Sequence, residues 1–186
     1  MSTEEVFTKI ENPKTDLVAR EFTNCIFSKC DLTDCDFSNS QLIDCTFNDC
    51  NLSNIKIIDC SFRGVAFNNC KLLGIDFTSI NAFLLDWNFS NCRIDLCSFS
   101  KLKMPKTSFA GCIIQETDFI ACNLSKSNFV GTEFNATNFQ DTNLEAANFT
   151  EAKHYVIDPT QNKIRKAKFS QPDVLGLLTV FDISID

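Results

Sequence analysis

The sequence predicts an all-β fold, a four-sided solenoid of about eight coils closed by a short C-terminal helix. Three observations predict it. A large apolar residue recurs at every fifth position over most of the 186 residues. Sorted by twenty, these residues fall into four columns of different chemistry. All 11 cysteines occupy one position of the five-residue unit, two before the large residue. A period of five fits neither a helix at 3.6 nor a flat strand at 2, but it suits a chain that turns a corner every five residues.

The large residue is the centre of each unit. Centres run from Leu17 through Phe22, Phe27, Leu32 and Phe37 to Phe77, slip by two residues at 78–83, and resume as Leu84, Phe89, Ile94, Phe99 and Met104 as far as Phe149. One column reads Phe27, Phe47, Phe67, Phe89, Phe109, Phe129, Phe149, Phe169; it is called the Phe27 wall. The opposite column, the Phe37 wall, reads Leu17, Phe37, Ile57, Phe77, Phe99, Phe119, Phe139. Between them lie two mostly aliphatic columns. The Phe22 wall contains Leu42, Phe62, Leu84, Met104, Leu124, Leu144 and Ile164, and the Leu32 wall contains Leu52, Leu72, Ile94, Ile114 and Phe134. Each coil of a solenoid buries its centres only by stacking on its neighbours. At about 4.8 Å per coil, eight coils give a rod of roughly 35 Å. The expected organisation is a lead-in over 1–16, the β-helix over 17–169 and an apolar helix or cap over 170–186.

The cysteines Cys25, Cys30 and Cys35 at the start are spaced like the repeat itself, and later units replace Cys by Ala, Ser, Thr or Val. Metal ligands do not tolerate such exchange, and zinc sites use tighter pairs. The cysteines are therefore expected to be small buried apolar groups, with no metal and no cofactor. Asn or Asp often precedes the centre, as at Asp31, Asp36, Asn51, Asp76, Asp118 and Asn123. Such side chains brace a turn by bonding nearby backbone.

The unit small–Asn/Asp–Leu/Phe–x–x, as in SKSNFVGTEFNATNFQDTNLEAANF over 125–149, resembles the pentapeptide repeat family. The resemblance covers about residues 17–169 and implies a right-handed quadrilateral β-helix. In size, acidity and apolar ending the chain is similar to the Qnr-type quinolone-resistance members. That resemblance implies a dimeric rod that imitates B-form DNA and binds DNA gyrase or topoisomerase IV. The long protruding loops of several Qnr-type proteins have no counterpart here beyond the two-residue slip.

The net charge of −7 and pI near 4.7 argue against direct nucleic-acid binding. The acids sort onto two adjacent walls. Asp16, Asp36, Asp59, Asp76, Asp118 and Asp141 stand outward on the Phe37 wall, against Lys56 and Lys101. Asp31, Asp34, Asp95, Glu116 and Glu133 stand outward on the Leu32 wall, against Lys71 and Arg93. The Phe22 wall balances and the Phe27 wall is nearly uncharged. A duplex carries about one charge per 1.7 Å, roughly twenty over such a rod, so these acids would imitate it in part. They are the candidate partner-binding residues. The alternative is a general interaction scaffold whose acids serve solubility.

In the tail, Ser170 is placed to cap a helix, with Pro172 in its first turn. Val174, Leu175, Leu177, Leu178 and Phe181 then form an apolar face, extended by Ile183 and Ile185. One side closes the last coil, and the surplus predicts a homodimer. Segment 154–163 breaks the repeat and is expected to be a bulged coil or surface loop. Trp87, the one bulky residue in a small position, is expected to pack at a local widening rather than to anchor a partner. Lys101, Lys103 and Lys106 are expected to be a solvated edge. Catalytic chemistry is not predicted: the single histidine, His154, has no matching nucleophile, and G-x-S-x-G, H-E-x-x-H and P-loop motifs are missing. The N-terminus carries acids early and no apolar run, so neither a signal peptide nor a membrane span is expected, and the location predicted is cytoplasmic.

Overall fold

Each five-residue unit turns because the residue two after its centre takes a left-handed backbone, as at Asn24 (φ 54°), Asp34 (φ 58°), Asp44 (φ 52°) and Lys126 (φ 62°). Four such corners make one coil. A computed structural model describes residues 1–8 and 17–184, and it is a parallel β-solenoid of about eight turns. On the Phe27 wall the strands Val6–Phe7, Ile26–Ser28, Thr46–Asn48, Val65–Asn68, Trp87–Ser90 and Phe109–Ala110 form one six-stranded parallel sheet. Its register pairs Phe27 with Phe47, Phe47 with Phe67, and Phe67 with Phe89. The Phe37 wall is held by single bridges such as Asp36 to Lys56 and Asp118 to Asn138.

Inside, the Phe27 column stacks face to face from Phe7 to Phe169, with ring centroids 4.5–5.2 Å apart and planes within 16° of parallel. Phe77, Phe99, Phe119 and Phe139 stack likewise at 4.4–5.2 Å. The two columns meet edge to face, Phe109 against Phe119 at 5.5 Å and 79°. Both geometries suit the aromatic quadrupole.

The small positions complete the backbone ladder. Cys50 Sγ accepts from the Cys30 amide at 3.4 Å and donates to the Phe27 carbonyl at 3.4 Å. Thr117 plays the same part, accepting from the Cys97 amide and donating to the Ile94 carbonyl, each at 3.4 Å. This equivalence explains why Cys and Thr exchange there. All 11 cysteines are buried.

The structure departs from the sequence expectation at four places. Residues 1–8 are more than a lead-in: Ser2–Thr3 and Val6–Phe7 pair in register with residues 22–23 and 26–27 and begin a coil. Leu84 is not a centre; it is 57 % exposed, and the extra residues form a bulge between Asn81, whose amide reaches the Cys60 carbonyl, and Asp86, whose amide reaches that of Phe62. The vacated interior is filled by Trp87, buried against Phe62 at 5.6 Å and Phe77 at 5.1 Å. Segment 154–163 repeats the device. His154 turns outward, Tyr155 packs between Phe149 and Phe169 at 5.5 Å from each, and Ile157 bridges Phe139 as a centre. Finally, the tail is a 3-10 helix over Asp173–Phe181 that begins after Pro172, and Ser170 Oγ accepts from the Glu151 amide at 2.8 Å instead of capping it.

Candidate functional site

The acids owe their positions to two local rules. Those immediately before a centre point outward and brace the following turn. Asp31 Oδ1 accepts from the Thr33 amide at 3.1 Å and from its hydroxyl at 2.6 Å. Asp76 does the same with Thr78, at 2.9 and 2.6 Å, and Asp36 accepts from the Ser38 amide at 2.9 Å. Asp34, Asp59, Glu116 and Asp141 instead occupy left-handed corners. The turn expectation for the first group is therefore met, and it has an electrostatic consequence. The Thr33 hydroxyl and amide hold the Asp31 carboxyl below its ordinary range, and the Ser38 hydroxyl does so for Asp36. These groups stay ionised under all ordinary conditions.

The corner between the Leu32 and Phe37 walls brings three predicted acids together. Asp76, Glu116 and Asp118 line one shallow recess, with Gly74, Leu96 and Ser98 between them. Asp36 continues the Asp76–Asp118 row in one direction, separated by Lys56. Successive acids of that row lie two coils apart, about 10 Å at the inter-strand spacing. Asp34 stands at the N-terminal end of the same edge, where Asn54 Nδ2 donates to it at 3.4 Å, and Asp31 lies on the other side of the Leu32 wall, bridged to Asn51. The remaining acids are not part of this group. Asp59 and Asp141 lie at the far corner of the Phe37 wall, and Glu133 faces His154 at 3.9 Å. Asp16 lies outside the described residues.

Asp95 requires a correction. It was expected to face outward with the other acids, but it is 7 % exposed and its Oδ2 pairs with Arg93 Nε at 2.5 Å. The pair neutralises the wall at that coil. Sequence spacing identified the acids but not their hydroxyl partners; the Asx-x-Thr/Ser spacing at 31–33, 36–38 and 76–78 was the available signal.

Of the candidate dimer residues, Leu177 packs on the core, Val174 and Leu178 are half-buried, and Leu175, Phe181 and Ile183 are exposed. Ile185 lies outside the described residues. Val180 joins Val156 beside the end of the Phe37 wall. Among the described residues no cluster of three or more His, Cys, Asp or Glu is placed to hold a metal ion. No helix among them is long and apolar enough to cross a membrane.

A sequence profile described as the pentapeptide repeat region matches residues 20–99 and 102–177. Among curated protein sequences no significant match is found. Solved structures of QnrB1, a plasmid-mediated fluoroquinolone resistance protein, share the fold. Two trypsin-treated forms superpose with TM-scores of 0.67 and 0.66 at 18% identity, covering 100% of this chain and 97% and 99% of theirs. The full-length form gives 0.56 at 18% identity over 97% of this chain and 99% of its own.

Proposed function

The chain belongs to the pentapeptide repeat family, and on that premise we propose that it is a non-catalytic interaction protein whose acidic edge imitates a DNA duplex and binds DNA gyrase or topoisomerase IV in the cytoplasm. The observation that supports this reading is the recess where Asp76, Glu116 and Asp118 converge, in line with Asp36. An enzyme that grips DNA presents a basic surface, and rows of outward carboxylates complement it. QnrB1, a plasmid-mediated fluoroquinolone resistance protein, has the same fold. Eleven thiols suit a reducing compartment.

A second reading, a general protein scaffold, has its own support. Lys56 interrupts the Asp36–Asp76 row, Asn51 and Lys71 follow Asp31 along the Leu32 wall, and Asp95 is withdrawn by Arg93. One assay separates the two. The purified protein is titrated into gyrase supercoiling with and without a quinolone. The duplex-mimic reading expects inhibition or drug protection, lost with Asp36→Asn, Asp76→Asn and Asp118→Asn combined and weakened by added salt. Asn retains an acceptor for the turn, so the substitutions remove charge without unmaking the coil. No effect of the wild-type protein on either gyrase or topoisomerase IV would leave the scaffold reading standing.

A further inference from the structure

The charge on the Phe22 wall is unevenly spread: near neutral in the N-terminal half, it is clearly basic in the C-terminal half. Its corner column reads Glu4, Asn24, Asp44 and Gly64 in the N-terminal half, and Lys106, Lys126, Ala146 and Lys166 in the C-terminal half. All eight positions have positive φ, from 52° to 68°. Asn, Asp and Gly suit that backbone and lysine does not. Apart from Glu4, the first half of the rod uses residues fitted to the turn, while the second half places a cation at three of its four corners.

The lysines have company. Lys103 and Lys163 begin the first and last of the four bridged units on the same wall. Arg165, Lys126 and Lys166 line a recess whose one acid is Glu145. Lys101 and Asp141 stand across the opposite corner. All the bases named are exposed, and among the described residues none forms an ion pair. Adjacent coils lie about 4.8 Å apart, so Lys106 and Lys126 repel each other unless an anion spans them. One coil before Lys103, the bulge leaves Phe83 78 % exposed beside the exposed Leu84.

We propose that the C-terminal half of the Phe22 wall is a second docking surface, which takes a carboxylate-rich protein segment with a bulky apolar residue at one end. The strip would pair with the carboxylates, and Phe83 and Leu84 would pack on the apolar residue. Duplex DNA fits this surface less well. Acids of the adjoining Phe37 wall, within about one Debye length or roughly 8 Å, repel phosphates and carboxylates alike, and a duplex brings the denser row of charge. Phosphates also make no use of two exposed apolar side chains.

The test uses the full chain and a fluorescein-labelled peptide of consecutive glutamates ending in leucine, followed by anisotropy, with a short DNA duplex as the comparison probe. Peptide binding is expected to weaken as salt rises from about 0.05 to about 0.3 M. Lys126→Glu with Lys166→Glu should weaken it about tenfold, and Phe83→Ser with Leu84→Ser should weaken it further. Circular dichroism verifies that each variant is folded. The proposal is overturned if the peptide does not bind, if charge reversal leaves binding unchanged, or if the duplex binds more tightly than the peptide. Any of these results leaves the topoisomerase reading untouched, because that reading rests on Asp76, Glu116 and Asp118 on other faces.

Discussion

At the scale of single residues, the interior thiols and the outward carboxylates behave as opposites. Burial pushes the Cys30 and Cys45 thiols up to about 11 and those of Cys60, Cys97 and Cys122 up to about 12, from an ordinary value of 9.0. A thiol that stays protonated is neither nucleophile nor ligand. The native protein is expected to react with none of its 11 cysteines in a thiol titration at pH 8, and with all of them once unfolded. Early reaction of even a few would contradict the burial. A stability consequence follows from the same shifts. Below pH 9 both folded and unfolded chains keep these protons, so the contribution is complete. Above it the unfolded chain ionises first and binds fewer protons, so stability falls as pH rises toward 11–12. Urea midpoints should therefore drop steeply between pH 9 and 11. The carboxylates shift the other way: Asp31 and Asp36 are depressed, so their contribution is present above the ordinary carboxylate range and is lost as pH falls through the lowered values. Asp76→Ala removes a turn acceptor and is expected to cost about 1 kcal/mol, while Asp76→Asn should cost much less; equal losses in urea denaturation would show that charge, not the turn bond, matters there.

At the scale of the element, the five-residue unit is legible because a repeated side-chain volume has only one use. The Phe27 column could be written down from spacing alone, and its register is the one observed. The irregular coils were legible only in part. A two-residue slip near 80 was visible, but spacing assigned Leu84 inward because nothing in a one-dimensional phase says that Trp87 can fill the same space from the neighbouring position. Tyr155 hid the same exchange at the other end, and Phe7 was passed over although it lies twenty before Phe27, because residues 8–16 break the pattern. In both irregular coils an aromatic at a small position replaces a missing centre, leaving its polar atom, Trp87 Nε1 or Tyr155 Oη, buried without a partner. Packing volume outweighs one unmet hydrogen bond there. The exchange predicts that Trp87→Ala lowers stability by about 3–5 kcal/mol, whereas Leu84→Ser changes it by less than about 0.5 kcal/mol. As the one tryptophan, Trp87 also reports directly: its native emission should be blue-shifted and poorly quenched by acrylamide. A red-shifted native spectrum would place the ring outside, with Leu84 returned to the core.

At the scale of the molecule, a solenoid has two ends, and each must be covered because its last coil has no neighbour. The C-terminal 3-10 helix meets this need with one side only: Leu177 packs on the core. The other side leaves Leu175, Phe181 at 49 % and Ile183 at 56 % exposed, with Val180 and Val156 close by. Exposed apolar side chains gathered at one end of a rod mark an interaction site. A second copy is the simplest occupant, because a two-fold axis at the end of the rod brings identical patches together and closes the assembly. It would also align two rods and double the length of the acidic edge available to a partner. The expected mass in solution is then twice the 21.0 kDa of the chain. Phe181→Asp with Ile183→Asp should return it to the single-chain mass without changing the circular dichroism of the β-helix, since neither residue reaches the core. Light scattering on wild-type protein at high micromolar concentration decides it: a single-chain mass there would assign the exposed tail to a different partner, and a dimer unaffected by the double substitution would move the interface to another part of the rod.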